Sequence, residues 1–369
     1  MGYDLNRYPT PEELETVKVL KMTTLASRKL AELKGLSQKI PNQAILINTL
    51  FIQEAKDSSA IENIITTHDD LFKEELFPEL DLSPSAKEVQ SYVSALRQGY
   101  ELIAGAGFLS VNHILAVQEI LEKNKAGFRK LPGTDLRNGR TGEVVYTPPQ
   151  GHDVIIGLMG QLEAFINQTG GSLDPLVKMA VIHHQFESIH PFYDGNGRTG
   201  RILNVLYLVK EGLLEIPILY LSRYIVQNKG DYYERLQSVR DTGDWEPWIL
   251  YMLEAVAQTA EKTVELVKAI DRAWSYYKAN IKAKLASIYS QDLLNNLFFH
   301  PYTKIEFLMK DLNLKSRITA TKYLDTLSED GFLHKAKIGR SNYYINVALM
   351  EILTTGDWQA PETKAGEKI

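Results

Sequence analysis

The chain contains no cysteine. Disulfide cross-links and thiolate metal sites are therefore excluded. It also has no apolar run of the roughly 18 residues that a membrane-spanning helix requires, so no membrane partner is expected. The opening stretch, Met1-Gly2-Tyr3-Asp4-Leu5-Asn6-Arg7-Tyr8-Pro9, lacks the apolar centre of a secretory signal, which makes the cytoplasm the expected compartment. No Gly-x-x-x-x-Gly-Lys-(Ser/Thr) run occurs, so a P-loop is excluded. Charge of one sign is not in excess: 41 Lys and Arg stand against 46 Asp and Glu, a net −5 that offers no global attraction for nucleic acid. No repeat of 20–50 residues is present.

The composition that remains is that of an ordinary globular chain, 44% hydrophobic and 24% charged. At 369 residues it exceeds what one core usually takes, which implies two or three domains. Helical periodicity dominates. Helices are expected over Pro11 to Leu33, Asn42 to Lys56, Ser85 to Ile103, Val111 to Lys123, Leu162 to Gln168, Leu176 to Ile189, Arg198 to Glu211 and Tyr232 to Val239. One or two long helices are expected from Trp248 to about Ile288.

The most informative stretch is His190-Pro191-Phe192-Tyr193-Asp194-Gly195-Asn196-Gly197-Arg198-Thr199-Gly200-Arg201. It lies between two apolar helices and feeds the N-terminus of the second. Gly195 and Gly197 let backbone N–H groups approach a ligand closely, and a helix N-terminus directs free N–H groups and a positive dipole end at an anion. Arg198 and Arg201 add forked donors suited to phosphate. Asp194 is the one acid of the run, as expected of a carboxylate shared with Mg²⁺ and phosphates. His190 has an ordinary pKa of about 6.5, so it can act as a base near neutrality. Together these parts suit a nucleoside triphosphate with a nucleophile activated beside it.

The run resembles the Fic family signature, His-Pro-Phe-x-(Asp/Glu)-Gly-Asn-Gly-Arg-x-x-Arg, at every fixed position. The resemblance implies a mainly α fold: a Fic-type helical bundle with a small β-hairpin flap. It implies transfer of AMP from ATP to a hydroxyl side chain of a target protein. His190 would deprotonate that hydroxyl, and Asp194 would hold Mg²⁺ against the α- and β-phosphates. Gly195, Asn196 and Gly197 would form the anion hole. Arg198 would help to neutralise the phosphates, and Arg201 would meet the γ-phosphate. Thr199 and Gly200 complete the nucleotide-binding run, and Phe192 would hold the loop from the core. The stretch Gln227 to Tyr233, with Gln227 and Tyr232 as its candidate binding residues, is similar to the family segment that borders the nucleoside.

Ser58-Ser59-Ala60-Ile61-Glu62-Asn63 fits the family's inhibitory pattern, (Ser/Thr)-x-x-x-Glu-(Gly/Asn). The resemblance implies that Ser58 and Glu62 belong to a built-in brake, with Glu62 taking the place on Arg201 that the γ-phosphate needs. Read without it, Ser58 and Glu62 suit the capped first turn of an ordinary helix. Arg137 to Pro149 reads as a hairpin with a proline-limited edge. It resembles the family's flap, in which Val145, Tyr146 and Thr147 would align a target segment by strand addition. His183-His184 is no metal pair, because adjacent helical residues point about 100° apart.

The domain plan that follows is 1–100 for a helical region with the inhibitory motif, 101–255 for the catalytic core, 256–290 for connecting helices, 291–350 for a further module and 351–369 for a disordered tail. The order in 291–350 is short helix, second helix from Ser316 to Leu327, strand 333–338, turn and strand 343–347. It resembles a winged helix-turn-helix. Arg317, Thr319, Thr321 and Lys322, with Lys335, Lys337 and Arg340 on the wing, form a local basic surface for DNA. Packing or protein contact is the alternative. A DNA-binding regulator that uses the Fic domain as a nucleotide sensor therefore stands beside the transferase. So does a Fic enzyme that moves another phosphate-containing group or removes AMP. The resemblance also admits a homodimer.

Overall fold

The computed structural model describes residues 3–40, 42–80, 83–139, 141–171 and 173–361. Among them sixteen α-helices and five short strands follow in chain order. These are α1 (Pro11–Leu14), α2 (Val17–Ser37), α3 (Gln43–Ile61), α4 (His68–Leu76), α5 (Pro84–Ala106) and α6 (Val111–Glu122). The hairpin β1 (Leu136–Arg137) and β2 (Val144–Tyr146) precedes α7 (His152–Asn167), α8 (Pro175–Ile189), α9 (Asn196–Lys210), α10 (Leu221–Gln227), α11 (Lys229–Thr242) and α12 (Glu246–Lys284). The chain closes with α13 (Gln291–Phe299), β3 (Tyr302–Thr303), α14 (Ile305–Asp311), α15 (Arg317–Glu329), β4 (Leu333–Ile338), β5 (Ser341–Asn346) and α16 (Val347–Thr355). The fold is mainly α with small antiparallel sheets, as expected.

Several elements differ from the sequence reading. The helix expected from Pro11 to Leu33 breaks after Leu14, because Thr16 restarts it by accepting the Val19 N–H on its hydroxyl at 3.3 Å. The helix expected to stop at Lys56 runs on to Ile61. Helix α4 was not anticipated, although Thr67 and Asp70 cap it reciprocally. The last helix continues through residues expected to be without order. Leu353 is buried in α16, and Trp358 beyond it packs against the Tyr276 ring at 5.4 Å. The remainder of the expected tail, 362–369, lies outside the described residues.

Two compact units divide the chain. The first comprises residues 1–35, 50–66 and 84–261; the second comprises 36–49, 67–83 and 262–369. The first unit is built around α8, whose residues from Leu176 to Ile189 are all buried. An all-round buried helix needs neighbours on every side, and α7 and α9 supply two of them. Helix α9 in turn packs against α5 and α6. Trp248 of α12 is fully buried in this unit and donates its indole N–H to the Ala180 carbonyl at 2.8 Å.

In the second unit a three-stranded antiparallel sheet has the order β3-β5-β4. Register runs from Leu333 opposite Asn346 to Ile338 opposite Ser341, which leaves the two-residue turn Gly339-Arg340. Ser316 caps α15 by accepting the Thr319 N–H at 3.3 Å. Arg317 pairs with Glu306, and Lys335 pairs with Asp325 at 2.7 Å.

Candidate active site

The site lies in the first unit, where α8 ends and α9 begins. His190 terminates α8 in the left-handed region, at φ 49° and ψ 59°, and its N–H reaches the Phe186 carbonyl at 3.0 Å. Such a conformation is uncommon for a residue other than glycine and must be held by its surroundings. Arg129 does much of that holding. Its side chain is fully buried, and its Nε donates to the His190 carbonyl at 2.9 Å. Its terminal nitrogen also bonds the Pro149 carbonyl, and its own backbone N–H donates to the Pro191 carbonyl at 2.9 Å. A cation at a helix C-terminus also meets the negative end of the dipole.

After His190 the loop folds on itself. Phe192 is buried, with its ring against Phe128 and Phe186. The Asn196 side chain closes the turn by accepting the Phe192 N–H at 2.8 Å and donating to the Phe192 carbonyl at 2.9 Å. Asn196 therefore offers a ligand its backbone N–H rather than its amide. Gly195 caps α9 at φ +76°, and the first N–H groups of α9 have no intrahelical acceptors. Asp194 is exposed, with Oδ1 accepting the Gly195 N–H at 2.7 Å.

Burial pushes the His190 imidazole down to about 4, and the nearby cations Arg240 and Arg129 push it the same way. The ring is therefore neutral at pH 7, and its buried Nδ1 has no hydrogen-bond partner. Arg240 bonds the Ser188 hydroxyl at 2.9 Å and stacks 4.0 Å from the Tyr146 ring centre.

Arg201 is buried in α9. Its Nε donates to the Ser58 hydroxyl at 2.8 Å, and its NH2 donates to the Ser58 carbonyl at 3.0 Å and to Glu62 Oε1 at 2.8 Å. Burial works against the Glu62 carboxylate, but Arg201, with Arg198 and Lys229 behind it, outweighs burial and holds the group below the usual carboxylate range. The alternative placing Ser58 and Glu62 in a helix's first turn is not what is found. Glu62 follows the last residue of α3, where the helix dipole opposes a carboxylate. Asn63 then takes the left-handed conformation, φ 64°, that commonly ends a helix. Glu62 Oε1 lies where a side chain at Gly197 would begin: a Cβ there would be 2.4 Å away.

Arg198 also meets acids, Glu122 at 2.9 Å and Glu88 at 3.4 Å. Burial raises the Glu122 carboxyl, with Arg198 pulling it down and Asp194 and Glu88 pushing it up. Glu187 is buried and pushed up to about 7 by burial, against the pull of Arg201. Its carboxylate packs against Gly200, so Gly200 faces the interior, and Thr199 is likewise buried.

Three segments match family models. Residues 20–101 match the Fic/DOC family N-terminal model, and residues 108–208 match the Fic/DOC family model. Residues 274–349 match the model of the protein adenylyltransferase SoFic-like C-terminal domain. These segments tile most of the chain. The chain belongs to the Fic family. Among curated relatives, protein adenylyltransferase fic-1 of Caenorhabditis briggsae is 27% identical over 157 residues, 42% of this chain and 29% of the relative. Protein adenylyltransferase Fic of Drosophila mojavensis is 31% identical over 137 residues, 37% of this chain and 25% of the relative. The chain thus spans under a third of the length of these relatives. A solved Fic family protein from Desulfovibrio desulfuricans G20 superposes with a TM-score of 0.57 at 21% identity, covering 96% of this chain and all of that one. Caenorhabditis elegans Fic-1 (residues 134–508) gives 0.52 at 18% identity, over 68% and 73% of the two chains. These two likenesses concern the fold.

Within the Fic fold the other expected residues are placed as follows. Strands β1 and β2 pair antiparallel, with Leu136 opposite Tyr146. Val145 is exposed, Tyr146 donates its hydroxyl to the Ser188 carbonyl at 3.0 Å, and the Thr147 hydroxyl donates to Asp135 at 2.7 Å. Arg140 of this hairpin lies outside the described residues. Tyr232 turns inward, with its hydroxyl 2.8 Å from His183 Nε2, while Tyr233 beside it is 47% exposed and feels the charges of Glu62 and Arg201. Gln227 ends α10 and is exposed. His183 and His184 are buried; His184 Nε2 lies 3.1 Å from the Leu236 carbonyl, and no group of three or more metal-type side chains occurs among the described residues. Tyr233 belongs to the stretch expected to border the nucleoside, whereas Arg129, Arg240, Glu122 and Glu187 were not anticipated. The only signal for them is proximity in space, because none belongs to a local motif.

Proposed function

We propose that this protein transfers AMP from ATP to a Ser, Thr or Tyr hydroxyl of a target protein, and that Glu62 restrains it. The observation that carries this reading is the convergence of neutral His190, the open N-terminus of α9, and the buried guanidiniums of Arg198 and Arg201. The names of the curated relatives, protein adenylyltransferases, supply the group transferred.

Nucleotidyl transfer depends mainly on positioning and on neutralising charge. The backbone N–H groups of Asn196 and Gly197 would hold phosphate oxygens, and Arg198 and Arg201 would neutralise them. The hydroxyl oxygen attacks the α-phosphorus, the bond from that phosphorus to the bridging oxygen of the β-phosphate breaks, and pyrophosphate leaves. His190 takes the hydroxyl proton, as a neutral imidazole can. Val145 is exposed on the hairpin, and its edge would pair with an extended target segment.

Asp194 fits Mg²⁺. It is an exposed hard-oxygen donor with one oxygen fixed by the Gly195 N–H, and this cation typically takes one or two carboxylates with substrate phosphates and water. Bound there, the ion would neutralise the polyphosphate. Cytoplasmic ATP would serve the reaction; among the described residues no helix is long and apolar enough to cross a membrane. The DNA-binding reading gains no specific support, since Glu306 and Asp325 already engage Arg317 and Lys335.

Mass spectrometry after incubation with ATP and Mg²⁺ tests the proposal. An added adenylyl group is expected on Glu62→Gly protein or on a supplied target, and none with Glu62→Gly/His190→Ala. Equal modification by the double variant would remove His190 as the base, and no modification by either would overturn the transferase reading.

A further inference from the structure

Both guanidiniums of the turn are met by a glutamate at the end of a helix. Glu62 follows α3, and Glu122 is the last residue of α6. The dipole opposes a carboxylate at each position, so each placement relies on its arginine. The contacts are alike, 2.8 Å from Arg201 to Glu62 and 2.9 Å from Arg198 to Glu122. The Arg198 pair is the more enclosed at its acid end, with the Glu122 side chain 12% exposed against 36% for Glu62.

Each carboxylate also covers one glycine of the turn. A Cβ at Gly197 would lie 2.4 Å from Glu62 Oε1, and one at Gly195 would lie 2.3 Å from Glu122 Oε1. An acidic oxygen thus sits on the side-chain side of each glycine whose backbone would cradle an anion. Arg198 is also incompletely satisfied. Its NH2 and NH1 point to Glu122 and Glu88, while its buried Nε has no acceptor. A guanidinium can donate through all three nitrogens, so this one is held through its two terminal nitrogens alone, and a ligand oxygen that takes over the Glu122 contact takes over its main anionic bond.

We infer that Glu122 is a second carboxylate counter-ion of the anion cradle, standing where an acidic oxygen of a polyphosphate must reach Arg198. This inference rests on the nucleotide-binding reading above and deepens it. Removal of Glu62 frees Arg201 alone. Arg198 stays engaged until a ligand displaces Glu122, so two glutamates, 60 residues apart in sequence, set the affinity together. The ligand class that answers both arginines carries at least two phosphate groups.

Calorimetric titration of the full chain with Mg²⁺ and ATP separates the possibilities. The proteins are wild type, Glu62→Gly, Glu122→Gln and the double variant. Glu122→Gln keeps the size of the side chain and removes its charge. It is expected to bind ATP roughly ten- to a hundredfold more tightly than its parent, both alone and in the Glu62→Gly background, the range carried by a hydrogen bond to a charged group. Binding unchanged or weakened would overturn the inference and make Glu122 a support for Arg198. Should Glu122→Gln fail to fold, Glu122→Asp shortens the reach while keeping the charge; ATP binding no tighter than in the parent would overturn the inference equally. Failure of Glu62→Gly itself to bind ATP would defeat the nucleotide reading and this inference with it. Binding by Glu62→Gly with no further gain from Glu122 substitutions would defeat this inference alone.

Discussion

Replacing Glu62 by glycine should move stability and nucleotide affinity in opposite directions. Arg201 is almost wholly buried, and Glu62 is its only anionic hydrogen-bond partner among the described residues. Removing one member of a buried pair commonly costs about 3–5 kcal/mol, because the other charge is left uncompensated. Here the cost should be smaller. Glu62 is 36% exposed, so solvent screens the pair. Arg201 also keeps both bonds to Ser58. About 1.5–2 kcal/mol is the resulting expectation, at the low end of the range for a hydrogen bond to a charged group. With no nucleotide, the first unfolding transition should fall by a few degrees, at about 2–4 °C per kcal/mol for a unit of this size. ATP then supplies the missing anion. If the wild-type carboxylate competes with the nucleotide for this guanidinium, as proposed, the variant should bind more tightly and gain more melting temperature from saturating ATP. At a hundredfold excess over Kd, ligand linkage contributes about 2.7 kcal/mol. Thermal melts of both proteins with and without Mg²⁺ and ATP provide the assay. An unchanged melt without nucleotide, together with equal ATP-induced shifts, would refute the competition argument.

Further outcomes follow from the same geometry. His190 is pushed down to about 4, so the neutral form that the proposed transfer uses is present above that value and lost as pH falls through it. In the Glu62→Gly protein, kcat/KM for ATP should stay flat from about pH 8 to about pH 6 and decline toward about pH 4, with the kcat midpoint higher because bound polyphosphate favours the imidazolium; a kcat/KM midpoint at an ordinary histidine's value would show that burial does not act as described. Arg129→Lys loses the fork that joins the His190 and Pro149 carbonyls. Measured in the Glu62→Gly background, kcat should fall by about 10–100-fold through misplacement of the base while the ATP KM stays close to its parent's, and a loss confined to KM would contradict this. Asn196→Ala removes both buried bonds to Phe192. Urea unfolding should show a loss of about 1–3 kcal/mol, and an unchanged midpoint would mean that the side chain does not close the loop.

What was legible in the sequence was local. The turn at Gly195 to Gly197 carries its own glycines, and Ser316 lies one residue before the helix it caps. The Ser58-to-Asn63 pattern was visible too, yet read alone it also suited a capped first turn. Side-chain types permitted either end of a helix, and only continuation of α3 to Ile61 decided it. The same limit applies to Tyr232 and Tyr233. Adjacent residues on α11 must point to different sides, but which side faces the core depends on where Trp248 and His183 pack.

The sequence by itself determined the chemistry available between His190 and Arg201 and the family to which the chain belongs. Those features depend on one continuous run of twelve residues, in which neighbours lie close because the chain joins them. Tertiary structure decided what opposes and what supports that chemistry. Glu62 meets Arg201 across 139 residues, Glu122 meets Arg198 across 76, and Arg129 reaches the His190 carbonyl across 61. A charge carries no record in sequence of its distant partner. The pairing arises only when helix packing buries the arginine and it must find a counterpart within hydrogen-bond reach.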